Sequence, residues 1–379
     1  MSSDDRSWHT SAHPELRDGP PWVMQEMIEA QPGLAEPIAA APGAETIATA
    51  IRQAAEAGDP LVIVGCGTSE HGALAVAALL DEALRSAGFK ARVECRQSLD
   101  AALDPRTGGF CLGVSHDGTT RATIHALEAA RESGAVTATI GVRADSPTAL
   151  GADHVFVTPL RDRSWCHTVA YSSAILAGAA IARELSAGDA VDGAAILAGA
   201  LAQRERIDQL AAHIHGASRI LAVGLGADLT TARELALKIE EGARIPATAL
   251  QLESLLHGHL AGCDADATGL VLFASDARSG ARGSYRLQSA ARAAERIGIP
   301  TVAIGAEAAL AGLPASVERL VVPPSEGAEL LGALLTGAVS LQLLTLSLAQ
   351  LVGSNRDLIR REQRPYREAA AEAETRADW

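Results

Sequence analysis

The chain has 379 residues, of which 48% are hydrophobic and 3% are aromatic, and its formal net charge at pH 7 is −14. This apolar content is enough to bury one large core or two smaller ones, which excludes a disordered or fibrous protein. The negative charge argues against nucleic acid or an anionic membrane surface as the main partner.

The first part of the chain predicts helices that lead into a buried strand. Residues 1–20 are polar and proline-rich, as in a flexible N-terminal arm. Apolar residues then recur at helical spacing over residues 22–40, where Gln31-Pro32 should divide the segment into two short helices. A third helix is expected over residues 44–57. The continuously apolar run at residues 61–65 is typical of a central parallel strand.

Strands and helices then alternate. Further strands are predicted at residues 91–95, 110–115, 136–142 and 154–158, followed by one long helical stretch over residues 168–213. This alternation predicts a doubly wound α/β fold with a parallel sheet and with loops gathered at the carboxyl ends of the strands.

The second half of the chain repeats the order of the first. Residues 220–224 correspond to residues 62–65, and residues 270–275 correspond to residues 110–115, at an offset of about 160 residues. Such a repeat indicates an internal duplication. We therefore predict two tandem flavodoxin-like halves, each a three-layer sandwich with a parallel sheet.

The predicted domain organisation has four parts. Residues 1–20 form the arm, residues 21–205 the first domain with its N-terminal helices, residues 206–352 the second domain, and residues 353–379 a C-terminal tail. The apolar helix that closes the second domain, residues 327–352, should lie buried between halves or subunits. The N-terminus has no apolar signal region, so a cytoplasmic location is expected.

Two turns at the ends of first-half strands have the composition of a hydroxyl or anion cradle. We call them the 65–69 turn and the 115–120 turn. Their glycines let backbone NH groups face a ligand, their hydroxyls add donors, and each leads into a helix N-terminus. A single turn of this kind is most often only a helix cap, but two at neighbouring strand ends favour a sugar or phosphate pocket.

No cofactor or metal is expected. The Gly-x-Gly turns lack the third glycine of the dinucleotide fingerprint, and no Walker A sequence occurs. The five cysteines are scattered without a CxxC pair, so neither a disulfide framework nor a zinc site is predicted.

A proton-transfer unit follows the first strand of the second half. A predicted helix carries Glu234, Lys238 and Glu241, and a loop ends at His257. A carboxylate, an ammonium group and an imidazole are the groups needed to move a proton on a small polar substrate. Alternatively, Glu241 is a surface carboxylate paired with Arg244 or Lys238, and His257 is a packed loop histidine.

These motifs resemble the sugar isomerase (SIS) family from about residue 22 onward, especially the isomerase domain of glucosamine-6-phosphate synthase and stand-alone aminosugar-phosphate isomerases and deaminases. Residues 224–261 align without a gap to the second-half signature, which is the most specific match. The resemblance implies a cofactor-free aldose-ketose isomerase, or an aminosugar-phosphate isomerase/deaminase, that acts on a sugar or sugar phosphate through an enediol or enediolamine.

The resemblance also implies residue roles. Glu241 would shuttle a proton between C1 and C2, His257 would assist ring opening, and Lys238 would contact the substrate near the reacting carbons. The His257 loop would complete the site of a neighbouring subunit in a homodimer. The implied substrate-binding residues are Cys66, Gly67, Thr68, Ser69, Ser115, His116, Asp117, Gly118, Thr120 and His167.

Two departures from the family leave the substrate open. Asp117 stands where the family has a serine that bonds the sugar phosphate, and a carboxylate there would repel a dianion. Either Asp117 points away, or His116 or an arginine compensates it, or the sugar is not phosphorylated or carries another 6-substituent. The tail also lacks a lysine to form a Schiff base. A non-catalytic sugar-binding regulator is the alternative from another functional class.

Overall fold

The computed structural model describes Arg17 and residues 19–375. The predicted arm at residues 1–20 therefore lies almost entirely outside the described residues, as does the end of the predicted tail.

Two five-stranded parallel sheets form the framework of the described chain. The first has the order β2-β1-β3-β4-β5, and the second has the equivalent order β7-β6-β8-β9-β10. The strands are β1 Leu61–Gly65, β2 Val93–Gln97, β3 Phe110–Val114, β4 Val136–Gly141, β5 His154–Val157, β6 Arg219–Gly224, β7 Ala247–Gln251, β8 Thr268–Ala274, β9 Thr301–Ala306 and β10 Glu318–Val322. The predicted α/β fold class and the internal duplication are confirmed.

Helices cover the sheets and connect the halves. They are α1 Val23–Ala30, α2 Ala35–Ala39, α3 Ala44–Ala57, α4 Thr68–Ser86, α5 Ser98–Leu103, α6 Arg121–Glu132, α7 Pro147–Gly151, α8 Val169–Ser186, α9 Gly193–Leu201, α10 Arg204–Ile214, α11 Ala227–Lys238, α12 Leu252–Leu256, α13 Gly280–Ile297, α14 Glu307–Leu310, α15 Glu329–Val352 and α16 Arg364–Thr375. The break at Gln31-Pro32 is confirmed, because a 3₁₀ turn at Gln31–Leu34 separates α1 from α2.

Two element predictions are wrong. The single helical stretch over residues 168–213 is three helices, α8, α9 and α10. The segment predicted as a loop before His257 contains strand β7 and helix α12. β7 lies at the edge of its sheet and most of its residues are partly exposed, so it lacks the continuous apolar run that marks a central strand.

Helix α15 forms the centre of the core between the two halves. It packs against α8 and α9 on one side and against α10 and α11 on the other. Its length and composition would suffice to cross a membrane, but 94% of its most apolar window is buried inside the protein, as in a core helix. The expected burial between the halves is thus confirmed.

A buried hydrogen-bond network joins α15 to the first half. Gln31 Nε2 donates to Gln342 Oε1 at 2.5 Å, and Gln342 Nε2 donates to the Thr168 carbonyl at 3.1 Å. The Ser172 hydroxyl donates to Gln31 Oε1. Since the amides of Gln31 and Gln342 are paired, the network links the start of α8 to the core.

Candidate active site

The candidate site lies where the two halves meet at the carboxyl ends of the first sheet. The strand order reverses between β1 and β3, and open α/β sheets commonly bind ligands in the crevice outside the carboxyl ends of the strands at such a point, here between the 65–69 and 115–120 turns. Helix α11 of the second half packs on α4 beside it. Gly67 is so close to α11 that an added Cβ would lie 4.0 Å from Leu237 Cδ2. The first-half cradle therefore faces the helix that carries Lys238.

Buried charges from both halves form one cluster in this crevice. Lys238 is fully buried, and its ammonium group hydrogen-bonds Glu241 and lies 3.6 Å from Glu234 Oε1. From the first half, Thr68 Oγ1 donates to Glu234 Oε1 at 3.2 Å, and His71 Nδ1 lies 2.6 Å from Glu234 Oε2. Glu234 thus links the first cradle to the ammonium group of Lys238. The structure thus places Lys238 and Glu241, both candidate catalytic residues from the sequence, in direct contact.

A change of helix type orients Glu241. α11 ends at Lys238, and the chain continues as a π-helical turn, Ile239–Ala243, rather than as the regular helix that we predicted. Arg244 closes the turn with a φ of 62°, and its NH donates to the Ile239 carbonyl at 2.8 Å. A π turn accommodates an extra residue and so changes the direction of its side chains, which is why such turns are frequent at functional sites. Here it directs Glu241 to Lys238.

The environment gives the Glu241 carboxylate a high affinity for a proton. Burial raises the pKa of Glu241, and Lys238 together with a hydrogen bond from Cys166 offsets part of this effect. Burial alone would lower the pKa of Lys238, but Glu241 and Glu234 outweigh it and raise that pKa. Lys238 is therefore an ammonium ion at neutral pH beside a carboxylate that is a stronger base than usual.

The 65–69 turn presents small groups to the crevice. Gly67 is exposed with a φ of 57°, Thr68 is buried and begins α4, and Cys66 and Ser69 are partly buried. The Cys66 thiol points to Gln97, whose Nε2 is 3.7 Å from Sγ. The implied binding residues of this turn thus surround the N-terminus of α4.

The 115–120 turn is held by residues that precede α8. His116 is buried, and its Nε2 accepts a hydrogen bond from the Asp162 NH at 2.8 Å, which places the proton of the neutral ring on Nδ1. Burial lowers the pKa of His116 to about 4. The His167 ring lies 5.7 Å from the His116 ring.

Asp117 is paired with an arginine. Arg161 Nε donates to Asp117 Oδ1 at 2.8 Å. Burial raises the pKa of Asp117, but the Arg161 hydrogen bond and nearby positive charge outweigh it and hold that pKa below its usual value. Gly118 next to it has a φ of +68°, and a Cβ there would lie 2.1 Å from Ser146 Oγ, so the turn requires glycine. The structure thus places an arginine against Asp117, and this pairing by itself does not decide whether the sugar is phosphorylated.

Solved structures of other proteins share this architecture. The C-terminal domain of glucosamine-fructose-6-phosphate aminotransferase from Francisella tularensis matches with a TM-score of 0.73 at 19% identity, over 90% of this chain and 99% of that one. Glucosamine-6-phosphate deaminase from Thermotoga maritima matches with a TM-score of 0.69 at 15% identity, over 88% and 96% of the chains. Tagatose-6-phosphate ketose/aldose isomerase from Escherichia coli matches with a TM-score of 0.69 at 16% identity, over 88% and 95%.

The chain has the tandem sugar-isomerase fold. The resemblance predicted from the sequence is confirmed at the level of the fold, whereas no protein-family model and no curated protein matches the sequence. Within Arg17 and residues 19–375, no group of three or more His, Cys, Asp or Glu side chains could hold a metal ion.

His257 lies apart from the charged cluster in this tandem sugar-isomerase fold. Its side chain is 74% exposed and its Nε2 lies 3.3 Å from Glu253 Oε2, while Glu253 is also held by Arg286 at 2.6 Å. The single chain thus leaves His257 on the surface. Its role in the site of a neighbouring subunit stays a prediction.

Two residues of the site were not singled out as site residues from the sequence: Arg161 and Cys166. Arg161 and Cys166 lie in an irregular segment without periodicity, so only the folded chain reveals their contacts with Asp117 and Glu241.

The buried His116 predicts a pH dependence of stability. Unfolded histidine gains a proton below about pH 6.5, whereas folded His116 stays neutral to about pH 4. The unfolded state therefore binds more protons in this window, and stability falls as the pH is lowered from 6.5 to 4. The glutamine in His116→Gln can still accept a hydrogen bond but does not titrate. Between pH 6.5 and pH 4 the free energy of unfolding of this variant should therefore fall by roughly 2–3 kcal/mol less than that of the wild type. Urea unfolding at several pH values measures this.

The matched control for that experiment is His215→Gln, because His215 is exposed. Its unfolding free energy should follow the wild-type pH dependence. A His116→Gln variant with an unchanged pH dependence would show that His116 titrates normally in the folded protein.

Proposed function

We propose that the protein is a cofactor-free isomerase that interconverts an aldose and a ketose, or the corresponding aminosugar, by proton transfer. The observation that supports this most directly is the Lys238–Glu241 pair, a carboxylate with a raised pKa beside a buried ammonium ion. It lies beside the 65–69 turn, to which Glu234 links it through Thr68, and the glycines and hydroxyls of that turn suit a polyhydroxyl ligand. Structures with the same fold carry the names of a sugar-phosphate isomerase and a deaminase.

The proposed reaction moves two hydrogens and needs no external oxidant or reductant. Glu241 takes the proton from C2 of the open-chain aldose and returns it to C1, while a proton moves from the C2 hydroxyl to the carbonyl oxygen at C1. The intermediate is an enediolate, whose negative charge the Lys238 ammonium stabilises. For an aminosugar the same steps give an imine at C2, from which water could release ammonia.

Other residues have supporting roles in this proposal. His71 lies against Glu234 and is mostly buried at the cradle, so it is placed to hold the Glu234 carboxylate in position. Ring opening by His257 requires a second subunit, because His257 is exposed and separate from Glu241 in a single chain. The active species in the proposal is accordingly a homodimer.

A panel of sugars tests the proposal. Six-carbon aldoses, ketoses and aminosugars, each free and phosphorylated, are screened for an increase in the melting temperature of the protein. Each sugar that binds is then incubated with the enzyme, and the products are analysed by NMR. We expect conversion of at least one bound sugar to its isomer. Binding without any conversion would instead support a non-catalytic sugar-binding regulator.

A further inference from the structure

The charges around the 115–120 turn affect which sugar the site can bind. What we infer from them rests on the proposed isomerase function. The turn leads into α6 and the 65–69 turn leads into α4, so two helix N-termini meet at the crevice. Their backbone NH groups alone would favour a bound anion. Two of the similar solved structures are named as enzymes of sugar phosphates. Whether this site could hold a phosphate group is therefore the question that its charges must answer.

Asp117 places a negative charge in the turn that leads into the N-terminus of α6. Its side chain is 26% exposed, so its carboxylate is accessible to a ligand. Its pKa lies below the usual range, so Asp117 is ionised at neutral pH. A phosphate dianion beside the 115–120 turn would meet this carboxylate.

The neighbouring arginines do not supply an excess of positive charge. Arg161 donates from Nε to Asp117 at 2.8 Å, so its charge is already balanced. Arg143 also lies within electrostatic range of Asp117, but its Nε donates to Asp145 at 3.0 Å. His116 is neutral at physiological pH because burial lowers its pKa to about 4. Arg161 and Arg143 are therefore each paired with a carboxylate.

The rest of the crevice adds negative rather than positive charge. Glu234 and Glu241 share the single ammonium ion of Lys238. The His71 ring lies against Glu234 at 2.6 Å. A dianion entering this crevice would thus meet a balanced or negative surface, whereas a neutral hydroxyl group would find carboxylates that accept hydrogen bonds.

We propose that the Asp117–Arg161 pair selects a sugar whose end away from the reacting carbons is uncharged, and that it excludes a phosphate there. Arg161 holds the Asp117 carboxylate in the turn, and the carboxylate retains acceptor positions for a sugar hydroxyl. The ligand class is an open-chain, non-phosphorylated aldose or ketose.

Asp117→Ser tests this selection. The serine removes the negative charge and keeps a hydroxyl in the turn. We expect the variant to bind inorganic phosphate and fructose 6-phosphate at least about tenfold more tightly than the wild type, because one like charge near a dianion is removed. Isothermal titration calorimetry gives the affinities, and fructose is titrated in parallel.

Asp104→Ser is the matched control, since it also removes a carboxylate that lies against an arginine, Arg106 at 3.6 Å, but one that is 73% exposed and outside the turn. It should leave phosphate affinity unchanged. Melting temperatures verify that both variants fold, and Asp117→Asn replaces the serine variant if that one does not fold. Wild-type protein that binds inorganic phosphate as tightly as the Asp117 variant, or prefers fructose 6-phosphate to fructose, would overturn the inference.

The two proposals fail in different ways. If the wild type isomerises only the phosphorylated sugar, the selection by Asp117 is refuted and the isomerase proposal stands. If Asp117→Ser gains phosphate affinity but neither protein converts any sugar, the selection stands and the isomerase proposal is refuted.

Discussion

Glu241→Gln is expected to lower the isomerisation rate by about 10²–10⁴-fold, the range that a positioned general base contributes. The amide has nearly the same shape as the carboxylate but cannot accept the substrate proton. Lys238 retains Glu234 as a partner at 3.6 Å, so the variant should fold. Sugar affinity should change little, because the lost interaction acts mainly in the transition state. Initial rates and calorimetric titration separate the two effects.

The matched control is Glu240→Gln on the same π-helical turn. Glu240 is exposed and accepts a hydrogen bond from the Ala247 NH. Its amide variant should therefore keep nearly the wild-type rate. The assignment of Glu241 as the base would be abandoned if its variant kept more than about a tenth of the activity.

Lys238→Met should reduce the free energy of unfolding by about 3–5 kcal/mol, the usual cost of removing one partner from a buried ion pair. The methionine fills most of the space but leaves Glu234 and Glu241 without their shared cation. Glu234 keeps its contacts with Thr68 and His71, but the two carboxylates lose the ammonium group between them. The loss should therefore be greater at pH 8 than at pH 5, where protonation relieves it. Urea unfolding at both pH values measures the effect.

The chain contains its own control for this variant. Lys90 is the only other lysine in the sequence, and it is exposed. Lys90→Met should change the stability by less than about 0.5 kcal/mol, as most surface substitutions do. A similarly small change for Lys238→Met would mean that the positive charge of Lys238 does not stabilise the folded protein.

The duplicated sheets could be predicted because their central strands are marked by the sequence. β1, β3, β6 and β8 are short apolar runs followed by glycine or serine turns, and such runs are typical of parallel strands buried on both faces. The edge strand β7 has no such run. The break between α8 and α9 was missed because the helices on both sides are rich in alanine and no proline separates them, although Gly188 and the N-cap residue Asp192 mark the break.

The candidate site could be predicted only where its residues are close in sequence. Lys238 and Glu241 are three positions apart, so a helix places them together. The contacts of Glu234 with His71 and of Asp117 with Arg161 join residues 163 and 44 positions apart, respectively. No local pattern specifies such pairs. The sequence could therefore predict the proton-transfer residues, but not the charge balance that governs substrate choice.

The central claim is that this crevice moves a proton between adjacent sugar carbons. Incubation of the wild-type protein with a sugar that it binds, in deuterium oxide, tests this claim directly by proton NMR. Exchange of the Glu241 proton with solvent during the enediolate stage should place deuterium at C1 or C2 of the product and at no other carbon. A bound sugar that gains no deuterium and gives no isomer, in the presence of folded dimeric protein, would contradict the account.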